Sequence, residues 1–311
     1  MKVLILFVFF VFELSFSQVV TDTTYNINSV YAKEIKKFPY LKKVEHIESN
    51  QLSCLKNVPY KSIHNRDLAI DVFYVNDAKL HPGLVLIHGG GWKSGNKDQM
   101  HALAQAIAKN GFTCVCVEYR LADEAKYPAG VRDIKSAIHY VKKHALELKV
   151  DVNKIAVLGC SSGGQIAALV GTTNGTTIFS ENNETIDANV HAIVDLDGIL
   201  AFKHPESKEG KMASYWLNGT CEERPEVWQE ASALTHCNGN TPPILFVNSP
   251  FIRFHAGEQD MIEKLEKNKV YYEVKTFADS PHSFWFFNPW FDDVVKTSTQ
   301  FLNKIFYNSI D

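Results

Sequence analysis

The chain has 311 residues, 45% of them hydrophobic, enough for one large α/β domain or two small ones around a substantial core. Its formal net charge is −3 and no basic stripe stands out, so there is no electrostatic case for nucleic acid. The six cysteines show no zinc-ligand spacing.

Lys2 followed by the apolar run 3–12 has the pattern of an export signal. The run is short for a bilayer span, Glu13 interrupts it, and the small residues Ser15 and Ser17 precede Gln18. Cleavage between Ser17 and Gln18 is expected, leaving 18–311 as one secreted or periplasmic domain; the competing reading of 1–17 is an uncleaved anchor. No second apolar stretch is long enough to cross a membrane, so no stable insertion is expected after cleavage. Export permits disulfides. Cys221 and Cys237 flank a loop-rich segment and are the candidates, whereas Cys114, Cys116 and Cys160 read as small buried hydrophobes. Sequons at Asn174, Asn183 and Asn218 matter only if the source glycosylates exported proteins.

Residues 19–65 have weak periodicity and read as an extension wrapping the core. Strands and helices then alternate. Strands are expected at 69–75, 83–88, 112–119, 155–159, 190–197, 243–248 and 270–277. Helices are expected at 99–109 (stopped by Asn110-Gly111), 131–148, 162–170, 257–268 and 291–306. This rhythm predicts an α/β fold with a mainly parallel central sheet and helices on both faces. Residues 199–242 break it with Gly, Pro, charge and aromatics, and read as a cap over the carboxyl ends of the strands.

Two motifs carry chemistry. Gly159 to Gly163 reads G-C-S-S-G and puts Ser161 at the centre of G-x-S-x-G, where flanking residues without a Cβ allow a sharp strand-to-helix turn. About seventy residues earlier, His88 to Trp92 reads H-G-G-G-W directly after a buried strand. Backbone N–H groups of Gly90 and Gly91, joined by that of Ser162, suit an oxyanion; one such donor contributes about 3 kcal/mol in measured cases. A serine hydroxyl needs a base, and histidine suits it at neutral pH. Of 12 histidines, His282 lies in D-S-P-H-S-F between the last strand and the last helix, at the sheet edge from which Ser161 also emerges.

The segments I-D-V-F-Y (70–74), H-G-G-G-W, E-Y-R-L-A (118–122), Y-P-A-G-V-R-D (127–133), G-C-S-S-G-G (159–164), P-P-I-L-F-V (242–247) and S-P-H-S-F resemble the acetyl-esterase and feruloyl-esterase-like branch of the α/β-hydrolase superfamily. The likeness spans nearly everything after residue 65. It implies an α/β-hydrolase fold with Ser161 as nucleophile, His282 as base and Gly90 and Gly91 in the oxyanion hole. It also implies that Arg120 and Asp133 hold each other across a strand–helix junction. The aromatic tail 282–290 is similar to that of exported esterases acting on plant cell-wall polysaccharide.

The chain departs from the family where the triad acid is expected. After the strand at 243–248 the sequence reads N-S-P-F-I-R-F-H-A-G-E-Q-D, with no carboxylate before Glu258. Asp197, ending the preceding strand in D-L-D-G, is the favoured substitute; Glu258 and Asp260 are the others, and Asp195 reads as a structural partner. Arg253 occupies that loop and either binds a substrate carboxylate, such as a uronate, or forms a structural salt bridge. Trp92 is the candidate for substrate contact, while Trp285, Phe286, Trp290 and Phe291 read as core.

These features predict hydrolysis of carboxylic esters through an acyl-enzyme, without metal or organic cofactor. Substrates would be a small ester or an esterified polysaccharide bearing acetyl or methyl groups. A peptidase of the same fold and a binding protein on a hydrolase scaffold are the competing classes. The first would need a recognition domain for which the chain is too short, and the second usually lacks the nucleophile or base that this chain retains.

Overall fold

A computed structural model describes residues 21–47, 49–64, 66–180 and 187–308. The expected export signal at 1–17 and the sequon at Asn183 lie outside the described residues.

A helix, α1 (Ile27–Glu34), precedes an eight-stranded sheet made of β1 (Leu52–Ile63), β2 (Arg66–Val75), β3 (His81–Ile87), β4 (Thr113–Val117), β5 (Val150–Cys160), β6 (Ala192–Leu196), β7 (Ile244–Asn248) and β8 (Tyr272–Thr276). The spatial order is β1-β2-β4-β3-β5-β6-β7-β8. β1 to β2 and β2 to β4 pair antiparallel, and all pairings from β4 across to β8 are parallel.

The central strands are apolar at successive positions because both faces are covered. On one face Leu84, Leu86, Cys114, Cys116 and Leu158 pack under α2 (His101–Ala108) and α9 (Phe291–Tyr307). On the other, Val85, Ile87, Val115 and Val157 pack under α3 (Ala129–Lys143), α4 (Ser162–Thr172) and α8 (Glu258–Lys267). The aromatic tail joins the first face, with Trp285, Phe286, Trp290 and Phe291 all buried. Asp133 at the start of α3 is fully buried and takes Arg120 Nε at 2.8 Å, Arg120 Nη2 at 2.7 Å and Lys61 Nζ at 2.8 Å. That charge is buried with its partners satisfied, as such a group requires.

Helices follow the expected rhythm with shifted ends. Before α2, the turn Lys97–Met100 is a 3₁₀ segment capped by the Asn96 side chain, which accepts the Asp98 N–H. The larger difference is in residues 19–65, which hold both α1 and the 12-residue β1. β1 is the exposed edge of the sheet, and register shifts between Leu55 and Val58 and between Pro59 and Lys61 interrupt its alternation. Nearer the site, Lys42–Lys43 pairs antiparallel with Phe287–Asn288, tying the N-terminal segment to the chain after His282.

The insertion at 199–242 carries α5 (Gly210–Leu217), α6 (Pro225–Glu230) and α7 (Ala233–His236). It docks through Trp216, whose ring stacks on Trp92 at 5.0 Å and 11° and meets Tyr127 edge-on. The candidate pair Cys221 and Cys237 is not joined, and all six cysteines are free. Cys237 is buried beside Thr241 at the end of α7, while Cys221 lines a surface groove with Trp228, so the thiols face different surroundings. Asn174 uses its amide to donate to Val190 O and accept from Val190 N–H, which leaves Asn218 as the exposed sequon among the described residues. Among the described residues no helix is long and apolar enough to cross a membrane.

Candidate active site

Ser161 stands between the end of β5 and the start of α4 with φ 55° and ψ −121°. A non-glycine residue there costs about 1–3 kcal/mol and persists only where its surroundings over-determine it. Here the surroundings do so by close approach. A Cβ on Gly159 would lie 2.0 Å from Gly163 O, and one on Gly163 would lie 2.2 Å from Ile87 O. The Ser161 N–H is held by Leu196 O at 2.8 Å. The G-x-S-x-G spacing is therefore the condition for β3, β5 and α4 to meet at this corner.

His282 arrives from the loop after β8. Its Nε2 is 2.8 Å from Ser161 Oγ, and its Nδ1 is 2.8 Å from Asp197 Oδ2. A carboxylate oxygen only accepts, so Nδ1 carries the proton and Nε2 is left to accept from the serine hydroxyl. The imidazole is fixed from both sides. Phe254 stacks on it at 3.4 Å and 9°, and Trp285 meets it edge-on at 5.3 Å.

Asp197 lies just past β6 with its side chain fully buried. Burial raises its pKa, but hydrogen bonds from His255, His282 and the Ser249 N–H outweigh it, and the carboxyl is held below its ordinary value. Two residues earlier, Asp195 points under α4 and accepts the Gly198 N–H at 2.8 Å. With that one bond, burial pushes its pKa well above the carboxylate range. Glu258 is turned to Asn248 Nδ2, at 2.8 and 3.0 Å, and burial raises its pKa. Asp260 sits largely exposed on α8, facing His204. Of the four acids, the structure brings Asp197 to His282.

Gly90 and Gly91 have φ of 130° and 61°, and a Cβ on Gly90 would lie 1.8 Å from Ser94 O. The loop is pinned by Tyr119, whose hydroxyl donates to His88 O, and by the Ala122 N–H, which donates to Trp92 O. Among the described residues no hydrogen bond takes up the N–H of Gly90, Gly91 or Ser162. Gly91, Trp92, Ser161 and Ser162 line a cavity of about 30 Å³ with Glu209 and Phe254. A second cavity of about 590 Å³ lies against His282 and shares the Phe254 wall.

Trp92 borders the small cavity, yet its indole is 3% exposed, stacked on Trp216 and donating from Nε1 to Gln165 Oε1 at 2.9 Å. Its ring braces the cap through Trp216 while lining the cavity beside Ser161. Arg253 donates from Nη1 to Glu209 Oε1 at 2.9 Å, the salt-bridge alternative, while its side chain stays 41% exposed.

Several residues beside the site have no role assigned by sequence reasoning. Phe254 and His255 flank the triad from the loop after β7. His255 Nδ1 approaches Asp197 Oδ1 at 3.4 Å; burial opposes its protonation, but Asp197 and Glu258 outweigh that and raise its pKa. Tyr25 reaches Ser283 Oγ at 3.0 Å from the N-terminal segment. No motif marks these residues; the F-I-R-F-H run after the strand is the only signal for the first two. Away from this corner, Asp71, Asp98 and His101 place possible ligand atoms within 4.8 Å of one another. Lys97 Nζ lies 3.0 Å from Asp71 Oδ2 and supplies the positive charge there.

The model of the BD-FAE family matches residues 70–254. Esterase LipC of Mycobacterium tuberculosis is 29% identical over 213 residues, covering 66% of this chain and 51% of LipC. The chain spans about half or less of the length of the curated relatives it matches. Among solved structures, a truncated carbohydrate esterase from gut microbiota superposes with a TM-score of 0.70 at 20% identity, covering 84% of this chain and 99% of that one. An acetyl ester-xyloside bifunctional hydrolase from Caldicellulosiruptor lactoaceticus gives 0.67 at 20% identity, covering 79% and 91%. At these identities the likeness shows the shared α/β-hydrolase fold.

Proposed function

The chain belongs to the BD-FAE family of α/β-hydrolase-type esterases, and from that premise we propose that it hydrolyses carboxylic esters, with Ser161 as the nucleophile. The observation that carries this reading is the continuous hydrogen-bond chain from Ser161 Oγ through His282 to Asp197, 2.8 Å at each step.

His282 Nε2 takes the hydroxyl proton as Ser161 Oγ attacks the ester carbonyl carbon. The carbonyl π electrons move onto oxygen, and the N–H groups of Gly90, Gly91 and Ser162 receive that oxyanion. When the tetrahedral intermediate collapses, the bond to the alcohol oxygen breaks and His282 returns the proton to the departing alcohol. Water then attacks the acyl-serine, His282 removes its proton, and collapse releases the carboxylic acid and restores the serine hydroxyl. Asp197 stays ionised throughout and stabilises the imidazolium.

Cavity sizes support an acyl group of acetyl size. The space bordered by Ser161, Gly91 and Ser162 is about 30 Å³, whereas the roomy cavity lies on the His282 side, where the alcohol departs. A short acyl group on a large alcohol fits this asymmetry better than a methyl ester of a large acid. The carbohydrate esterase and the acetyl ester-xyloside hydrolase among the structural neighbours support a carbohydrate as that alcohol.

A fluorophosphonate probe tests the reading. The protein should be labelled covalently, and labelling and p-nitrophenyl acetate turnover should both vanish in Ser161→Ala. An unlabelled, folded wild-type protein would favour a binding role on a hydrolase scaffold.

A further inference from the structure

The 590 Å³ cavity beside His282 is built largely from the N-terminal segment, outside the region matched by the family model. α1 and the turn after it contribute Ser29, Lys33 and Lys37, and the loop after β7 contributes Arg253 and Phe254. Three cations therefore line the cavity against one carboxylate, Glu34, in a chain whose net charge is −3. Lys33 pairs with Glu34 at 3.6 Å. Among the described residues Lys37 makes no ion pair; its ammonium sits 5.2 Å from the Phe38 ring centre and 5.1 Å from that of Phe251. The Arg253 guanidinium lies 3.8 Å over Phe254, the ring that stacks on His282, and spends only Nη1 on Glu209.

We propose that this cavity is the alcohol subsite and that it takes a carboxylate-bearing sugar, with Lys37 and Arg253 holding the carboxylate. This rests on the ester-hydrolase reading, because the His282 side is where the alcohol leaves. A guanidinium with a free edge forks onto a carboxylate, and a lysine with no partner carboxylate gains one without breaking an existing pair. A concave site with an excess of positive charge attracts an anion, and that attraction falls with salt.

Calorimetric titration of the wild-type protein with trigalacturonate and with xylotriose tests this. Trigalacturonate should bind at least tenfold more tightly at low ionic strength, and the preference should collapse in Lys37→Glu and in high salt. Lys37→Met, which keeps the apolar stem, should show an intermediate loss. Lys37 is exposed, so both variants should fold. Equal binding of the two sugars, no binding of either, or a preference indifferent to Lys37→Glu would overturn the proposal. Turnover of p-nitrophenyl acetate is followed in parallel. Turnover without the preference removes this inference alone, whereas the preference in a protein with no turnover removes the esterase reading and with it the subsite's role.

Discussion

Asp197 sits at φ 53° and Ser161 at φ 55°, a positive value that aspartate adopts more readily than serine. Both residues lie where a strand ends and a reacting group must be presented, and both are held by backbone bonds from the neighbouring strand end: Ser161 N–H to Leu196 O and Asp197 N–H to Val247 O. Asp197 Oδ1 is occupied by the Ser249 N–H, so Oδ2 is left for His282. Asp197→Asn would keep the size but present either an amide donor to Nδ1–H or the wrong tautomer to the serine. It should lower kcat on p-nitrophenyl acetate by about 10³–10⁴-fold. Glu258→Gln, whose parent side chain serves Asn248, should change kcat by less than about tenfold; the opposite ranking would move the acid to α8. Sequence spacing narrows this choice without making it. In D-L-D-G a strand period of two puts Asp195 and Asp197 on one side, and only the end of β6 between them separates a carboxyl buried under α4 from one that reaches the histidine. Ser161 and His282 are legible because motif and topology both deliver them to one sheet edge. Phe254 is not, since a ring stacked on an imidazole leaves no spacing to read.

The N-terminal segment is the element that sequence periodicity hides, and it connects the two halves of the site. The Tyr25 N–H donates to Ser94 Oγ at 2.9 Å, the Gly95 N–H donates to Asp22 O at 2.7 Å, and the Tyr25 hydroxyl meets Ser283 Oγ at 3.0 Å. One short stretch thus spans from the end of the oxyanion loop to the residue after His282. α1 follows with a reciprocal cap between Asn26 and Ser29, which fixes where the helix starts. The helix buries only Val30, so it lacks the apolar stripe that would announce it. β1 is hidden for a related reason, because an edge strand with bulges keeps little of the two-residue alternation. Tyr25 is a positioning residue in this arrangement. Tyr25→Phe removes one hydroxyl hydrogen bond, worth about 1 kcal/mol. If that energy holds the histidine loop in register, kcat should fall about threefold to tenfold with KM unchanged. A purely structural tyrosine would instead lower the melting temperature and leave kcat alone.

Across the whole molecule, the parallel sheet is legible because its central strands are apolar on both faces, a pattern that only a doubly covered sheet tolerates. His88 is the polar exception inside that core. It follows β3 directly, is 1% exposed, donates from Nδ1 to Gly89 O at 2.9 Å and stacks on Tyr119 at 4.5 Å. Burial drives its pKa down from 6.5 to about 4. The unfolded chain therefore binds a proton at residue 88 over a pH window in which the folded protein does not. The stability His88 contributes is complete above pH 6.5 and is lost as the pH falls to about 4. At ~1.4 kcal/mol per pH decade, the loss approaches about 3 kcal/mol. Other buried acids act in the same experiment with mixed signs. Asp71 and Asp197, held below their ordinary values, lose stability only in stronger acid, while Asp195, held well above its own, gains as the pH falls. A paired measurement separates His88 from them. Urea denaturation of wild type and His88→Gln at pH 7.5 and at pH 4.5 should show the wild type's advantage shrinking by about 2 to 3 kcal/mol on acidification. An advantage that stays constant with pH would mean that the folded protein accommodates the imidazolium, and that the first residue of H-G-G-G-W is not the neutral brace beneath the oxyanion loop that its burial requires.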